Sequence, residues 1–600
     1  MMGSKSEHEV LIAPNVVIPF RDGVVSRADI YFPGRSVDRL EDPLPAVLIR
    51  TPYDKGGSAA IGTYYAKRGY IFVAQDVRGR YASEGEFVSF ADEGEDGYDT
   101  VVWLSNQPWC NGKVGTLGAS YCAAVQSALA SFDPPGLSAM IVQFGPASYF
   151  HSSMRQNGAL EVRFLVYAFT MAATSREATA NPGLRRILTE ASEHVWDYLR
   201  AGPIQPGTTP LKLVPNYEQW AIDIQRRGTY DDFWRRPGFG PRPYYDQHAD
   251  VPTLYVGGWY DTYTRGTLEN YLALSRKQTA PVHVLMGPWT HGGVGVGEAG
   301  DAVFGPQGSI DFEAVRLRWM DQWLKGVDTG LGNEQPVTYF MMGAGAPLPA
   351  EPGRITKGGE WRKAPTWPPP HAQDMRFHLR GDGALSTTLP QEKENQTTSF
   401  PFDPAHPVPT IGGNLSALPL PAGMFDQCND ARFPQSGGDG IPLATRRDVL
   451  TFITPPLEKD LDIAGPVIAD LYVSSDAPDT DFTAKLLEIH PPSPAHPGGV
   501  AANLTDSIAR LRFREGYAEE VLGEPGTIYH LTFELFPTAC RIPVGHQLRV
   551  DISSSNYPRF DLNPNTGGTL GVEPRLRTAE NTVHHSPEHA SSIVLSLLSD

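Results

Sequence analysis

The chain of 600 residues holds four cysteines, Cys110, Cys122, Cys428 and Cys540, and they stand far apart. With no Cys-x-x-Cys pair there is no thioredoxin-type or zinc-knuckle motif. Free buried thiols in a reducing compartment are the expectation. No stretch approaches the ~20 apolar residues needed to cross a bilayer. The opening MMGSKSEHEVLIAPNVVIPFRDG lacks the apolar segment and small-residue cleavage site of a signal peptide, so a cytoplasmic location is expected. Positive charge is also short. Fifty Lys and Arg face 68 Asp and Glu, a net charge of −18, which repels phosphate backbones and argues against nucleic acid. What is plentiful is apolar residues (40%), Gly (60) and Pro (54). These imply packed cores, many turns and much β-structure, with two or three domains at this length.

The first third alternates short apolar runs with helical patterns. Strands are expected at Ala46–Ile49, Tyr70–Ala74 and Val114–Leu117, and helices at Ser58–Arg68, Glu93–Asn106 and Tyr121–Ser131. Strands alternating with helices imply βαβ units and a largely parallel sheet. Residues 148–241 read as helices without strands: Leu160–Ala173, Leu184–Ala201 and Tyr217–Gly228. The α/β pattern resumes with Thr253–Gly257, Val282–Met286 and a helix at Ile310–Leu324. Beyond about residue 350, alternating runs such as Val467–Val473, Ala509–Phe513, Tyr529–Leu535 and Gln547–Ile552 have the signature of an antiparallel sandwich or jelly roll.

The central chemical signal is Gly118-Ala119-Ser120-Tyr121-Cys122, between a strand and an Ala-rich helix. A sharp strand–turn–helix elbow exposes a serine hydroxyl above the sheet, and the residues two before and two after it must be small. Gly118 satisfies this. Cys122 stands where the G-x-S-x-G pattern has its second Gly. A serine hydroxyl needs a base. In this fold an acid and then a histidine follow in chain order, each after a later strand. Asp261 follows Thr253–Gly257, and His291 follows Val282–Met286. Three residues of the required types thus fall in the required order.

These stretches carry a resemblance. Arg50-Thr51-Pro52-Tyr53-Asp54-Lys55, Gln75-Asp76-Val77-Arg78-Gly79-Arg80, Gln107-Pro108-Trp109, the elbow, Gly257-Gly258-Trp259-Tyr260-Asp261, Gly287-Pro288-Trp289-Thr290-His291 and Asn563-Pro564-Asn565-Thr566-Gly567 all match one pattern. The chain resembles the cocaine esterase / X-Pro dipeptidyl-peptidase family, which includes α-amino-acid ester hydrolases. The resemblance implies an α/β-hydrolase core (residues 1–147 and 242–348), a helical cap (148–241) and a C-terminal jelly-roll β-sandwich (349–600). It implies Ser120, Asp261 and His291 as a triad. It also gives the Tyr53 hydroxyl and the Tyr121 backbone N–H the role of oxyanion donors.

The expected activity is hydrolysis of a carboxylic ester, or an activated amide, through an acyl-enzyme. The alternative is an X-Pro dipeptidyl aminopeptidase or α-amino-acid ester hydrolase, which must bind a free ammonium with carboxylates. After Asp261, however, no acid occurs until Glu269. A binding protein with a relic core is disfavoured by the complete residue set. No metal or organic cofactor is implied, since a triad supplies nucleophile, base and electrophile. The expected partner is a small-molecule substrate, with neither nucleic acid nor membrane; a homodimer is left open. Gly295-Val296-Gly297-Glu298-Ala299-Gly300 fits G-x-G-x-x-G but follows a loop, so no dinucleotide site is expected. Arg78, Arg80 and Glu84 are expected to form a structural ion-pair network, and His584-His585 a solvated tail.

Overall fold

The computed structural model describes residues 4–35, 38–416, 420–433 and 435–599. Residues 1–3, the start of the segment expected not to be a signal peptide, lie outside the described residues. Nine strands of one large sheet build the layer that carries the site: β1 (Glu9–Pro19), β2 (Val25–Arg35), β3 (Leu44–Thr51), β4 (Ile71–Asp76), β5 (Cys110–Ala119), β6 (Leu137–Gln143), β7 (Thr253–Tyr260), β8 (Val282–Thr290) and β9 (Val337–Met342). Their spatial order is 1-2-4-3-5-6-7-8-9. Pairing is antiparallel at β1–β2 and β2–β4 and parallel from β4 through β9. The central stretches of the inner strands are buried and mostly apolar because helices cover both faces.

The helices of this layer are α1 (Ala59–Ala66), α2 (Glu93–Ser105), α3 (Tyr121–Ala130), α7 (Thr264–Leu274) and α8 (Phe312–Leu324). Glycine sets how close they come. A Cβ on Gly115 of β5 would lie 2.8 Å from Leu324 of α8, and one on Gly97 of α2 would lie 2.6 Å from the Leu129 Cβ of α3. This is an α/β-hydrolase core, as expected.

Between β6 and β7 the chain forms the cap helices α4 (Arg163–Ala173), α5 (Pro182–Glu193) and α6 (Pro215–Arg226). Two expectations need correction here. A hairpin of two-residue strands, Arg155–Gln156 and Ala159–Leu160, precedes α4, because Asn157 (φ 46°) and Gly158 (φ 95°) supply the paired positive φ angles of a tight hairpin turn. The long helix expected over Leu184–Ala201 breaks at His194 into α5 and Val195–Arg200. The cap is not a separate body: Phe164, Phe169, Leu188 and Trp220 share one apolar core with Phe90, Tyr121 and Phe144 of the hydrolase layer.

The C-terminal part is β-rich. A four-stranded antiparallel sheet contains Asp481–His490, Val500–Arg510, Gln547–Ser553 and Leu450–Ile453. Its Phe482, Leu486 and Val550 share a core with Val467, Leu471 and Leu595 of the large sheet. Leu511–Phe513, expected as strand, forms instead a 3-10 turn in which buried Arg512 reaches Asp479 (2.7 Å). The His584-His585 pair is no solvated tail. His584 ends the strand Ala579–His584, and His585 is fully buried with Nε2 3.0 Å from Thr398 Oγ1. All four cysteines are free. Among the described residues no helix is long and apolar enough to cross a membrane.

Candidate active site

Ser120 sits between β5 and α3 with φ 62° and ψ −121°. A non-glycine residue avoids this region unless its surroundings enforce it. Here the Ser120 N–H donates to the Gln143 carbonyl (3.1 Å), and its own carbonyl accepts from Ala123 and Ala124 N–H (3.0 Å each). Gly118, at φ 152°, lies against Cys122, where an added Cβ would come within 2.6 Å of the Cys122 Cβ. The departure from the usual motif is thus accommodated behind the turn. Burial pushes the Cys122 thiol up to about 12, so it stays protonated at neutral pH.

Tyr121 presents only its backbone to the turn. Its ring stacks on Phe90 (centroids 4.4 Å apart), and its hydroxyl donates to the buried carboxylate of Glu93 (2.7 Å) while accepting from the Phe90 N–H (3.1 Å). Glu93 pairs in turn with Arg50 (3.1 Å). As the first residue of α3, Tyr121 has an N–H with no intrahelical acceptor.

The second pair comes from strand register. β7 and β8 run parallel with Tyr260 opposite Thr290. The next residue on each strand is Asp261 and His291, so pairing alone sets them side by side. His291 Nδ1 lies 2.6 Å from Asp261 Oδ2, and Asp261 Oδ1 accepts the Tyr263 N–H (2.7 Å). Asp261 is fully buried. The His291 ring lies between Phe144 (5.3 Å) and Tyr263 (5.5 Å). Phe144 directly follows Gln143, the residue that holds the Ser120 N–H.

Tyr53 lies just past β3. Its N–H donates to Thr51 Oγ1 (3.1 Å), and its ring meets the Tyr121 ring edge-on at 6.3 Å. Tyr53 keeps 44% of its surface open, and desolvation by its surroundings holds the phenol protonated well above its usual pKa. Its hydroxyl stands 3.5 Å from that of Tyr167 on α4, too far for a strong O–H···O bond. It is therefore available to another acceptor.

Arg78, Arg80 and Glu84 do not share one network. Arg78 pairs with Asp96 (2.5 Å) and Asp22 (2.7 Å), and Glu84 faces Arg27 (3.8 Å). Arg80 finds no carboxylate among the described residues. Fully buried, it donates to the Pro52 carbonyl (2.9 Å), the Met171 carbonyl (3.0 Å), the Tyr217 hydroxyl (2.9 Å) and Thr174 Oγ1 (2.7 Å). It ties the Tyr53 loop to α4 and α6 through neutral acceptors, in place of the ion pairs expected, because the cap closes over it.

Sequence reasoning also missed Glu161 and Arg163. Glu161 is fully buried; its carboxylate accepts from Thr262 (3.1 Å), from Gln156 Nε2 and from Arg163 Nε (2.7 Å), and faces Arg559 (3.5 Å). Thr262 adjoins Asp261, so this carboxylate braces the acid loop. Elsewhere, Glu488, His490 and His546 come close enough to share a metal ion, but Glu488 already pairs with Lys357.

The comparisons with known proteins bear on this geometry. "X-Pro dipeptidyl-peptidase (S15 family)" matches residues 22–293, and "X-Pro dipeptidyl-peptidase C-terminal non-catalytic domain" matches residues 329–594. A cocaine esterase from Rhodococcus sp. is 31% identical, over 98% of this chain and 98% of that one. The chain belongs to the cocaine esterase / X-Pro dipeptidyl-peptidase family. It is an enzyme of the serine-esterase and peptidase group within that family, and ester hydrolysis is its expected reaction. Two solved structures share the fold. An aminopeptidase from a marine-sediment Thaumarchaeota archaeon (TM-score 0.78) and an α-amino acid ester hydrolase (TM-score 0.75) are each 24% identical, covering 100% of this chain and 98% of theirs.

Proposed function

We propose that this family member is a serine carboxylesterase. Ser120 is the nucleophile, His291 the general base, and Asp261 the group that orients the imidazole and stabilises its cation. The Tyr53 hydroxyl and the Tyr121 N–H receive the oxyanion. The observation that carries the reading is the 2.6 Å Asp261–His291 contact, held by paired strand ends, together with the strained elbow conformation of Ser120. His291 takes the Ser120 proton as the oxygen attacks the ester carbonyl. It returns that proton to the leaving alcohol and then activates the water that releases the acid. The division into a two-part core, a cap at 148–241 and a jelly roll from 349 belongs to the same reading. A cytoplasmic location fits the free thiols.

The test is hydrolysis of a p-nitrophenyl ester together with fluorophosphonate labelling mapped by peptide mass spectrometry. Ser120 is expected to take the label stoichiometrically. Ser120→Ala is expected to lower kcat by about 10⁶ while leaving the fold intact. A Ser120→Ala enzyme with more than a tenth of the wild-type rate removes Ser120 from the role.

A further inference from the structure

One cation close to the proposed site has an edge unused. Arg163 is the first residue of α4. Tyr167 follows it by four residues, so both lie on the same face of the helix. Tyr167 meets the Tyr53 hydroxyl, which places that face over the proposed oxyanion site. The Arg163 guanidinium stacks on Phe164 (3.8 Å). Nε donates to Glu161 (2.7 Å), and Nη2 to Ser153 Oγ (3.1 Å) and the Tyr263 hydroxyl (3.4 Å). Tyr263 is the residue whose ring packs on His291. Nη1 has no protein acceptor among the described residues; on a side chain 14% exposed, it is the nitrogen left open to solvent.

The surrounding polar groups point the same way. Tyr53, Tyr149 and Tyr167 are held protonated by burial, and each can donate a hydrogen bond. Glu161 is the nearby carboxylate, but Thr262, Gln156, Arg163 and Arg559 occupy it and bury it completely. An ammonium group would find no free carboxylate there among the described residues. A carboxylate would find the open Arg163 edge, and charge-assisted N–H···O bonds are the strong ones. Glu161 keeps the guanidinium compensated while the site is empty, so the cation does not stand alone in a buried setting.

We propose that Arg163 is a specificity residue that binds a carboxylate of the substrate, making the preferred substrate an ester with a second, anionic carboxyl group on its acyl or alcohol part. This rests on Ser120 being the reacting group.

The experiment compares two matched series. One is methyl pentanoate, the glutarate monomethyl ester anion and methyl 5-aminopentanoate. The other is phenyl butyrates with 4-ethyl, 4-carboxymethyl or 4-aminomethyl rings. In wild type, kcat/KM for the anion is expected to exceed that of the neutral ester at least tenfold in one series, with the ammonium ester slowest. Arg163→Gln is expected to cut the anion-to-neutral ratio in that series at least tenfold. Arg163→Lys keeps the charge but loses the planar fork, and is expected to fall between; it also serves if the Gln variant does not fold. Reading a ratio within each variant removes any general loss of activity. Turnover of neutral esters with Ser120 labelled, but a ratio at or below one in both series or one unaffected by either substitution, overturns the proposal and leaves the esterase reading standing. Absence of both labelling and turnover overturns both.

Discussion

A single hydroxyl separates Tyr53 from a packed aromatic. The Pro52 before it has no N–H to offer, and in the proposed reading the phenol supplies the donor instead. The hydroxyl's contact with Tyr167, at 3.5 Å, is long, and removing it disturbs little of the fold. Tyr53→Phe is therefore expected to lower kcat about 10²–10³-fold, the size of one lost oxyanion donor, with an unchanged melting temperature. Phosphonate labelling of Ser120 should continue at a lower rate. Near wild-type kcat in the phenylalanine variant would return Tyr53 to a packing role. At the same scale, the polarity of a residue says little about where it lies. Arg163 reads as a charge on an amphipathic helix, the usual mark of a solvent-facing stripe. Its neighbours in space, Glu161 and Tyr263, are brought to it by a hairpin and a strand end that no local pattern announces.

The elbow shows how an element imposes requirements on its residues. Gly118 is needed because a Cβ there would sit 2.6 Å from the Cys122 Cβ and 2.9 Å from the Cys122 carbonyl oxygen, at a φ that side chains avoid. Gly118→Ala is expected to destabilise the protein by about 1–3 kcal/mol, measured by denaturant unfolding, and to cost at least tenfold in kcat by displacing Ser120. Adding Cys122→Gly should restore little, because the carbonyl contact remains; full recovery in the double variant would show that the thiol side chain alone sets the constraint. Elements were also the scale at which the sequence was most legible. Parallel strands buried on both faces appear as apolar runs such as Ile71–Ala74, and helices between them carry their own period, so β3, β4 and β5 and their helices could be read directly, whereas β6 was not. Asp261 and His291 could be found because each ends such a run. The register that joins them, Tyr260 opposite Thr290, was not legible, since pairing between strands thirty residues apart is decided by the sheet. The hairpin at Asn157-Gly158 was missed although that dipeptide is a turn signal, because the helical residues around it dominated the pattern.

At the scale of the whole molecule, the sheet does not stop at the hydrolase layer. β9 pairs with Gly359–Ala364 and meets Cys540 through Met342, so the core sheet runs on into the C-terminal strands. Asn414, from the C-terminal part, donates to the carbonyls of Trp259 (2.6 Å) and Asp261 (3.4 Å) and supports the acid loop from that side. Cap, core and β-rich part thus each bear on the same few residues, and loosening one is expected to affect the others. Acid should act through this coupling, starting from histidines buried without charge. His585 is the clearest case. Burial lowers its pKa from 6.5 to about 4, and Thr398 Oγ1 lies against its Nε2. Above pH 6.5 the ring is neutral in both folded and unfolded chains and has no effect on the balance between them. Below 6.5 the unfolded chain takes up a proton that the folded chain refuses, so stability falls until the folded-state pKa near 4 is reached. At pH 4.5 the difference is about 2–3 kcal/mol, at 1.36 kcal/mol per pH unit. His585→Gln has no such proton to bind. Urea unfolding of both proteins at pH 7.5 and 4.5 is expected to show wild type losing about 2–3 kcal/mol more than the variant on acidification. Equal losses would mean that His585 accepts its proton in the folded protein without cost, and would place the acid sensitivity at other groups.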